Sequence, residues 1–382
     1  MLRLLLLYLP MSSLPTALIY RFKLLPFSET FIQNQAESLQ QFQPHYLGLR
    51  SLPGILTDPD RTTILNPHNR IGQRFAELRF KLAGQTKLAV QPDLIHAHFA
   101  DDGAIALPLA QQLKIPLIVT CHGFDVLSSR AAQSKTLYQR LYHSRKRKLQ
   151  RYVSYFISVS DFLKNQLINQ GFPSEKVIRH YIGIDTQQFR PNMAIAREPI
   201  VLFAGRLVEK KGCTYLIKAM AAVQRELPEV KLVIIGDGPL RASLEQQAQS
   251  SLSNYQFLGA QPAPLVKEWM ARSRVFCLPS VTASCGDAET FGMVFAEAQA
   301  MGLPVVSFAS GGIPEAVSHG KTGLLAPEYN VTELAKHLFR LLREEMLWKK
   351  LSYHGPEFIQ QNFHLATQTR KLEKLYWEVL GQ

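Results

Sequence analysis

The 382-residue sequence holds only four cysteines, Cys121, Cys213, Cys277 and Cys285, and no two of them form a C-x-x-C pair. That argues against a disulfide framework or a cysteine-based zinc site, and a reducing, cytoplasmic setting fits best. No uninterrupted apolar run reaches the roughly 18 residues that a membrane span needs. The opening MLRLLLLYLP is short and no A-x-A-like cleavage site follows it, so a strand or a surface-seeking tail is expected over residues 1–15. No G-x-G-x-x-G follows a strand-like run, and the lone GDG at 236–238 is too weak a dinucleotide signal. The phosphate loop G-x-x-x-x-G-K-[ST], the zinc motif H-E-x-x-H and the nucleophile turn G-x-S-x-G are also missing. The single D-x-D, Asp58-Pro59-Asp60, lies in a proline-containing turn, a poor platform for a metal. No metal site is expected.

What is present is the composition of a globular protein, 46% hydrophobic and 19% charged, long enough for two domains. The net charge of +13 is lopsided: residues 1–190 hold 23 Lys and Arg against 12 Asp and Glu, and the remainder 20 against 18. An anionic partner should therefore meet the first half, be it nucleic acid, an anionic membrane or a phosphorylated substrate. Short Val-, Ile- and Leu-rich runs alternate with helical stretches. Strands are expected at 16–22, 45–49, 92–99, 116–123 and 155–160, and again at 200–207, 230–238, 255–260, 274–280 and 304–309. Runs this apolar read as parallel strands buried on both faces, giving α/β architecture twice over. The polar, proline-bracketed stretch 185–199 reads as the linker. The tail 363–380 reads as a helix with Leu372, Leu375, Tyr376 and Val379 on one face. The expected division is 1–190, 191–362 and a closing helix, 363–382.

Parallel sheets place functional loops at the carboxyl ends of their strands. GRLVEKKG (205–212) follows one such strand, where Arg206 and Lys211 can converge on an anion; alone, the pair reads equally well as two solvated cations. In DAETFGMVFAEAQAMGLP (287–304), Thr290 is a candidate N-cap, and the apolar run from Met293 stops at Gly302 and Pro304. The amides of Phe291, Gly292 and Met293 would lie free at a helix N-terminus, an anion site. Glu289 before that site and Glu297 beyond it are then acceptors for sugar and ribose hydroxyls. The plainer reading makes them one capping acid and one surface acid. In the first half, His98 of HAHF and His122 and Asp125 of CHGFD stand at strand ends, and Ser28 and Glu29 of SETF follow the first strand and could line a cleft. Residues 135–152 form a basic amphipathic stretch that suits an anionic lipid surface or, equally, a solvated helix face.

The ordered set GRLVEKKG, VIIGDGP, FLGA and LPS…ETFGMVFAEAQAMGLPVVSFASGGIPE resembles glycosyltransferase family 4, the retaining enzymes of GT-B fold. SETFI, HAHF and TCHGFD are similar to its exopolysaccharide subgroup of the colanic-acid type. The resemblance covers most of residues 16–380. It implies two Rossmann-like domains facing across a cleft, with the acceptor in the first, a nucleotide sugar in the second, and the last helix returning to the first. Gly205, Arg206, Lys211, Glu289, Thr290, Phe291, Gly292, Met293 and Glu297 would then bind the donor, and His122, Glu289, Arg206 and Lys211 would act in transfer. Ser28, Glu29, His98 and Asp125 are the acceptor-side candidates. Many relatives carry glycine where this chain has Thr290, so their sugar preference does not transfer. The implied activity is metal-independent, retaining transfer of a hexose, glucose or a related sugar, from a UDP-sugar to a saccharide or lipid-linked acceptor. No cofactor is implied beyond the nucleotide sugar as co-substrate. Alternatives are a GT-B epimerase or phosphorylase, a sugar-nucleotide sensor, or a basic nucleic-acid-binding protein. The last lacks any nucleic-acid module, and no nucleic-acid partner is expected.

Overall fold

The first strand, β1 (Thr16–Leu24), alternates its side chains between two cores. Leu18 and Tyr20 join one, while Ala17 and Ile19 join the other. That is the signature of a strand covered on both faces. The computed structural model describes residues 14–26, 29–51, 54, 57–65, 70–127 and 137–381. The first unit continues through α1 (Thr30–Glu37), β2 (Gln43–Ser51), β3 (Thr62–Ile64), α2 (Arg70–Ala83), β4 (Leu94–His98), α3 (Ala100–Leu113) and β5 (Leu117–Cys121). It closes with α4 (Phe124–Leu127), α5 (Leu137–Tyr152), β6 (Tyr155–Ser158), α6 (Asp161–Asn169) and β7 (Val177–Arg179). Its strands form a parallel sheet in the order β3-β2-β1-β4-β5-β6-β7.

The second unit repeats the scheme with β8 (Glu198–Ala204), α7 (Cys213–Glu226), β9 (Lys231–Ile235), α8 (Arg241–Ser251), β10 (Tyr255–Gly259), α9 (Ala263–Arg272) and β11 (Ser273–Cys277). It then runs through α10 (Met293–Ala300), β12 (Val305–Phe308), α11 (Ile313–Ala316), β13 (Gly323–Ala326) and α12 (Val331–Arg343). The sheet order is β10-β9-β8-β11-β12-β13, again parallel. In each sheet the order reverses once, between β1 and β4 and between β8 and β11. Crevices open at such reversals, because successive connections leave to opposite faces.

Two helices end the chain, α13 (Glu345–Phe363) and α14 (Leu365–Leu380). Between them the backbone crosses to the first unit: Ile184 donates to the Phe363 carbonyl at 2.7 Å, and Leu365 donates back to Ile184 at 2.9 Å. α14 then lies on the first sheet with Leu372 and Tyr376 in the core beside Ile32 and Ala36 of α1. Burying each such large apolar side chain contributes about 1.5–3 kcal/mol. Polar contacts fix the register. Glu373 accepts from the amides of Gln40 and Gln41, both at 2.6 Å, and the Tyr376 hydroxyl shares a 2.6 Å hydrogen bond with His96 Nδ1.

Among the described residues, ten of the thirteen strands coincide with the expected runs. The others, β3, β7 and β13, are three- or four-residue edge strands. Edges are covered on fewer sides and need no long apolar run. The expectation for residues 1–13 lies outside the described residues. The four cysteines are free, three of them buried.

Candidate functional site

The crevice of the second sheet is lined by the two loops that leave its reversal point. β8 runs into Gly205 and Arg206, and β11 runs into the loop that carries Glu289. Gly205 donates to Ile235 at 2.9 Å, so the 205–212 loop starts from a fixed point. A 3₁₀ turn over Glu209–Lys211 then turns both lysines toward the second loop. Lys210 pairs with Asp287 at 2.9 Å, and the Lys211 ammonium donates directly to Glu289. Glu289 is buried, and Ser280 Oγ lies 3.5 Å away. Burial raises its carboxyl, but Lys211 and Lys210 outweigh that and hold it below the usual range, as a carboxylate. Arg206 is exposed, and its guanidinium has no hydrogen-bond or ion-pair partner among the described residues.

The helix N-terminus is built differently from the expectation. Thr290 does not cap α10. The cap is Gly292, at φ 81°, and no side chain caps the helix. A Cβ at Gly292 would meet the Phe295 ring at 2.5 Å, so only glycine lets the chain turn this tightly onto the helix. The Thr290 hydroxyl instead donates across the cleft to the His122 carbonyl at 2.8 Å. Its methyl sits where a Cβ on Gly123 would fall, 2.4 Å away, so glycine at 123 allows the two units to meet. The amides of Phe291, Gly292 and Met293 have no acceptor among the described residues and remain available to an anion. The Phe291 side chain points elsewhere, packed against Phe363 and Tyr181 with ring centroids 5.0 and 5.6 Å away. Glu297, on α10, has no partner among the described residues, and burial pushes its carboxyl up to about 7.

Across the cleft, three imidazoles form a column. His96 and His98 stack with centroids 4.4 Å apart, and His98 Nδ1 meets His122 Nε2 at 3.1 Å. Burial, helped by Arg21 and His96, lowers His122 to about 3, so it is a neutral hydrogen-bonding group and not a cation. His98 is lowered by burial as well. Asp125, also expected near the acceptor, is buried. Its carboxylate accepts from the amides of Ala100 at 2.7 Å, Gly123 at 2.8 Å and His122 at 3.2 Å. Through these three bonds it shapes the His122 loop. Glu29 is likewise engaged, gripped by Arg21 at 2.5 and 2.8 Å. Ser28 lies outside the described residues.

Arg21 escaped the sequence reading. It projects from β1, pairs with Glu29 and the fully buried Asp102, and lies 4.1 Å from the Phe99 ring. Burial opposes its charge, but Asp102 and Glu29 push its pKa up. A cation inside the apolar run TALIYRF was the available signal. Lys210 and Asp287 were missed too, because their partnership spans 77 residues. No group of three metal-ligating side chains occurs among the described residues.

Two parallel-sheet domains whose reversal points face one another across a cleft define the GT-B architecture. Anabaena HepE, solved with UDP and glucose, has a similar shape: TM-score 0.75 at 19% identity, covering 95% of this chain and all of that one. The Glycosyltransferase Family 4 model matches residues 29–188, and the Glycosyl transferases group 1 model matches 185–358. The amylovoran biosynthesis glycosyltransferase AmsK of Erwinia amylovora is 32% identical over 66% of this chain and 62% of its own length. The putative colanic acid biosynthesis glycosyltransferase WcaL of Salmonella typhimurium is 30% identical over 74% and 70%. The chain belongs to glycosyltransferase family 4. It spans a little over three fifths of the length of AmsK.

Proposed function

We propose that this protein transfers a hexose, glucose or a related sugar, from a UDP-sugar to a saccharide or lipid-linked acceptor during exopolysaccharide assembly. The observation that carries the reading is the Lys211–Glu289 pair, set between the open Arg206 guanidinium and the unpaired amides of Phe291 to Met293. A nucleoside diphosphate leaves as an anion. Cations and amides fixed where that charge develops lower the barrier without reorganising during the reaction. Arg206 and Lys211 take the diphosphate, Glu289 a sugar hydroxyl, and Glu297 the ribose. Neutral His122 hydrogen-bonds the transferred sugar. Attack by the acceptor hydroxyl on the same face, with the leaving phosphate taking its proton, accounts for retention. The nucleotide sugar is the co-substrate, and no further cofactor is invoked. The structure of HepE in complex with UDP and glucose supports the choice of base. AmsK and WcaL support the exopolysaccharide setting. The basic first unit fits an acceptor presented at the inner face of an anionic membrane. None of the described helices is long and apolar enough to cross one.

The test is thermal unfolding in EDTA with UDP, GDP, ADP and their glucose conjugates. A ligand at a hundredfold excess over its Kd stabilises the native state by about 2.7 kcal/mol. UDP-glucose should shift the midpoint of the wild type. Arg206→Ala, which removes an exposed side chain, should abolish the shift and leave the ligand-free midpoint unchanged. A shift that survives in Arg206→Ala removes that residue from the donor site. An epimerised nucleotide or a sugar phosphate as the product would overturn the transferase reading.

A further inference from the structure

The amphipathic stretch expected to meet lipid, residues 135–152, spends most of its apolar face on the protein over 137–152, leaving Leu137 half exposed. In α5, Tyr142 and Leu149 are buried in the core, and Leu141 packs against it. What α5 exposes is a cationic row, Arg140, Arg147, Lys148 and Arg151. An exposed apolar ridge lies instead on α2. Phe75 is 65% exposed, Leu78 42% and Leu82 53%, with Ile71 at 72% one turn earlier. These positions are spaced by four, three and four residues, so they share one helix face, and that face points away from the core. The opposite face is conventional: Phe80 is fully buried, and Glu77, the only acid of α2, is buried against Arg50 and Lys81. Arg74 and Arg79 are exposed beside the ridge.

The two helices are neighbours. Arg145 of α5 donates to the Leu82 carbonyl in the last turn of α2 and to Ala104 of α3, both at 3.1 Å. Between them α2 and α5 carry ten Lys and Arg against one Glu, so most of the chain's surplus of +13 resides on these two helices. Alongside α2 runs a groove of about 540 Å³ with Arg79 and Lys87 in its wall and Thr63, Thr86 and Gln112 around it. An apolar ridge flanked by cations, next to a basic groove of head-group size, matches one kind of surface: acyl chains under anionic head groups. α2 follows β3, so its first turn lies at the carboxyl end of the sheet, where the cleft opens.

We propose that α2 is the membrane-inserting element of this protein and α5 its electrostatic partner, together seating the first unit on an anionic bilayer. The proposal rests on the membrane-side reading of the acceptor given above, and replaces residues 135–152 as the apolar anchor. Seated on α2, the protein keeps the acceptor cleft at the edge of the lipid surface, within reach of a lipid-linked acceptor.

Co-sedimentation of the full chain with phosphatidylcholine vesicles, with and without phosphatidylglycerol, tests it. Binding is expected only to the anionic vesicles and should weaken with salt. Phe75→Ser/Leu78→Ser/Leu82→Ser should lose at least tenfold in affinity. Arg140→Glu/Arg147→Glu/Arg151→Glu should lose about fivefold for each cation removed. A Phe75→Trp variant should gain quenching by brominated lipid over the wild type. Anionic binding unchanged in the apolar variant overturns the proposal. So does deletion of residues 2–13 abolishing binding that the apolar variant retains, which would make that tail the anchor. A wild-type dimer that dissociates on the apolar substitutions would assign the ridge to a second copy, and also overturns it. All of these substitutions lie away from the donor site, so the shift with UDP-glucose should persist in each variant. Its loss from the wild type as well would tell against the transferase reading and not against this surface.

Discussion

Glu289 and Glu297 stand on either side of the glycine that opens α10, and their surroundings push their carboxyls apart. Glu289 is held ionised by two lysines, whereas Glu297, with no cation beside it, is raised by burial to about 7. Ionising Glu297 therefore costs more in the folded chain than in the unfolded one. Its contribution is favourable below the ordinary glutamate range and is lost as pH rises from about 4.5 to 7. Glu297→Gln should stabilise the ligand-free protein relative to the wild type at pH 7.5 and leave the two nearly equal at pH 4.5, by chemical denaturation at each pH. A constant difference across that range would show that the carboxyl does not titrate there. The residues of the 205–212 and 287–293 loops were legible because glycine, cation and carboxylate follow one another along the chain. Arg21 and Asp102 were not, since their contact joins positions 81 residues apart.

At the scale of elements, α14 shows how a helix with a readable apolar stripe acquires an address. Leu372 and Tyr376 give it a face to bury, but Glu373, between them in sequence, fixes where it docks by accepting two backbone amides of the first unit. Glu373→Ala would take the acceptor from those two partly buried amides, at about 1 kcal/mol each. A fall in Tm is expected, with hydrogen exchange increasing first at Gln40, Gln41 and α14. Uniform exchange across both sheets would instead mean that α14 does not open as a separate unit. The α5 stripe looked similar in sequence and met a different fate, pressed onto α3, because periodicity reports a face to be covered and not what covers it.

For the whole molecule, the relation between the two units rests on a few contacts across the cleft. The Glu315 carboxylate accepts from the amides of Asp161 at 2.7 Å and Phe162 at 2.8 Å, and from the Tyr181 hydroxyl at 3.0 Å. It thus caps α6 of the first unit from α11 of the second, with its charge at the positive end of a helix. Thr290 adds its bond to His122. Glu315→Ala should increase the radius of gyration in small-angle scattering and lower kcat more than it raises KM for the donor. An unchanged scattering profile would show that the clamp does not set the arrangement. Thr290→Val keeps the fit against Gly123 but removes the hydroxyl, and one neutral hydrogen bond of about 1 kcal/mol predicts a loss in kcat of about fivefold. If Thr290→Val matches the wild type in kcat, the hydroxyl has no part in aligning the His122 loop.

The sequence alone determined the two α/β units, the central strands, the closing helix and the loops that hold Arg206, Lys211, Glu289 and Glu297. Each of those rests on residues close together in the chain, where burial periodicity and turn chemistry act locally. Only the tertiary structure decided that Thr290 bridges the cleft instead of capping α10, that Asp125 and Glu29 are already taken by their own neighbours, and that the apolar ridge lies on α2. Those outcomes depend on which groups meet across long separations, and a side chain's partner in space leaves no mark at its own position in the sequence.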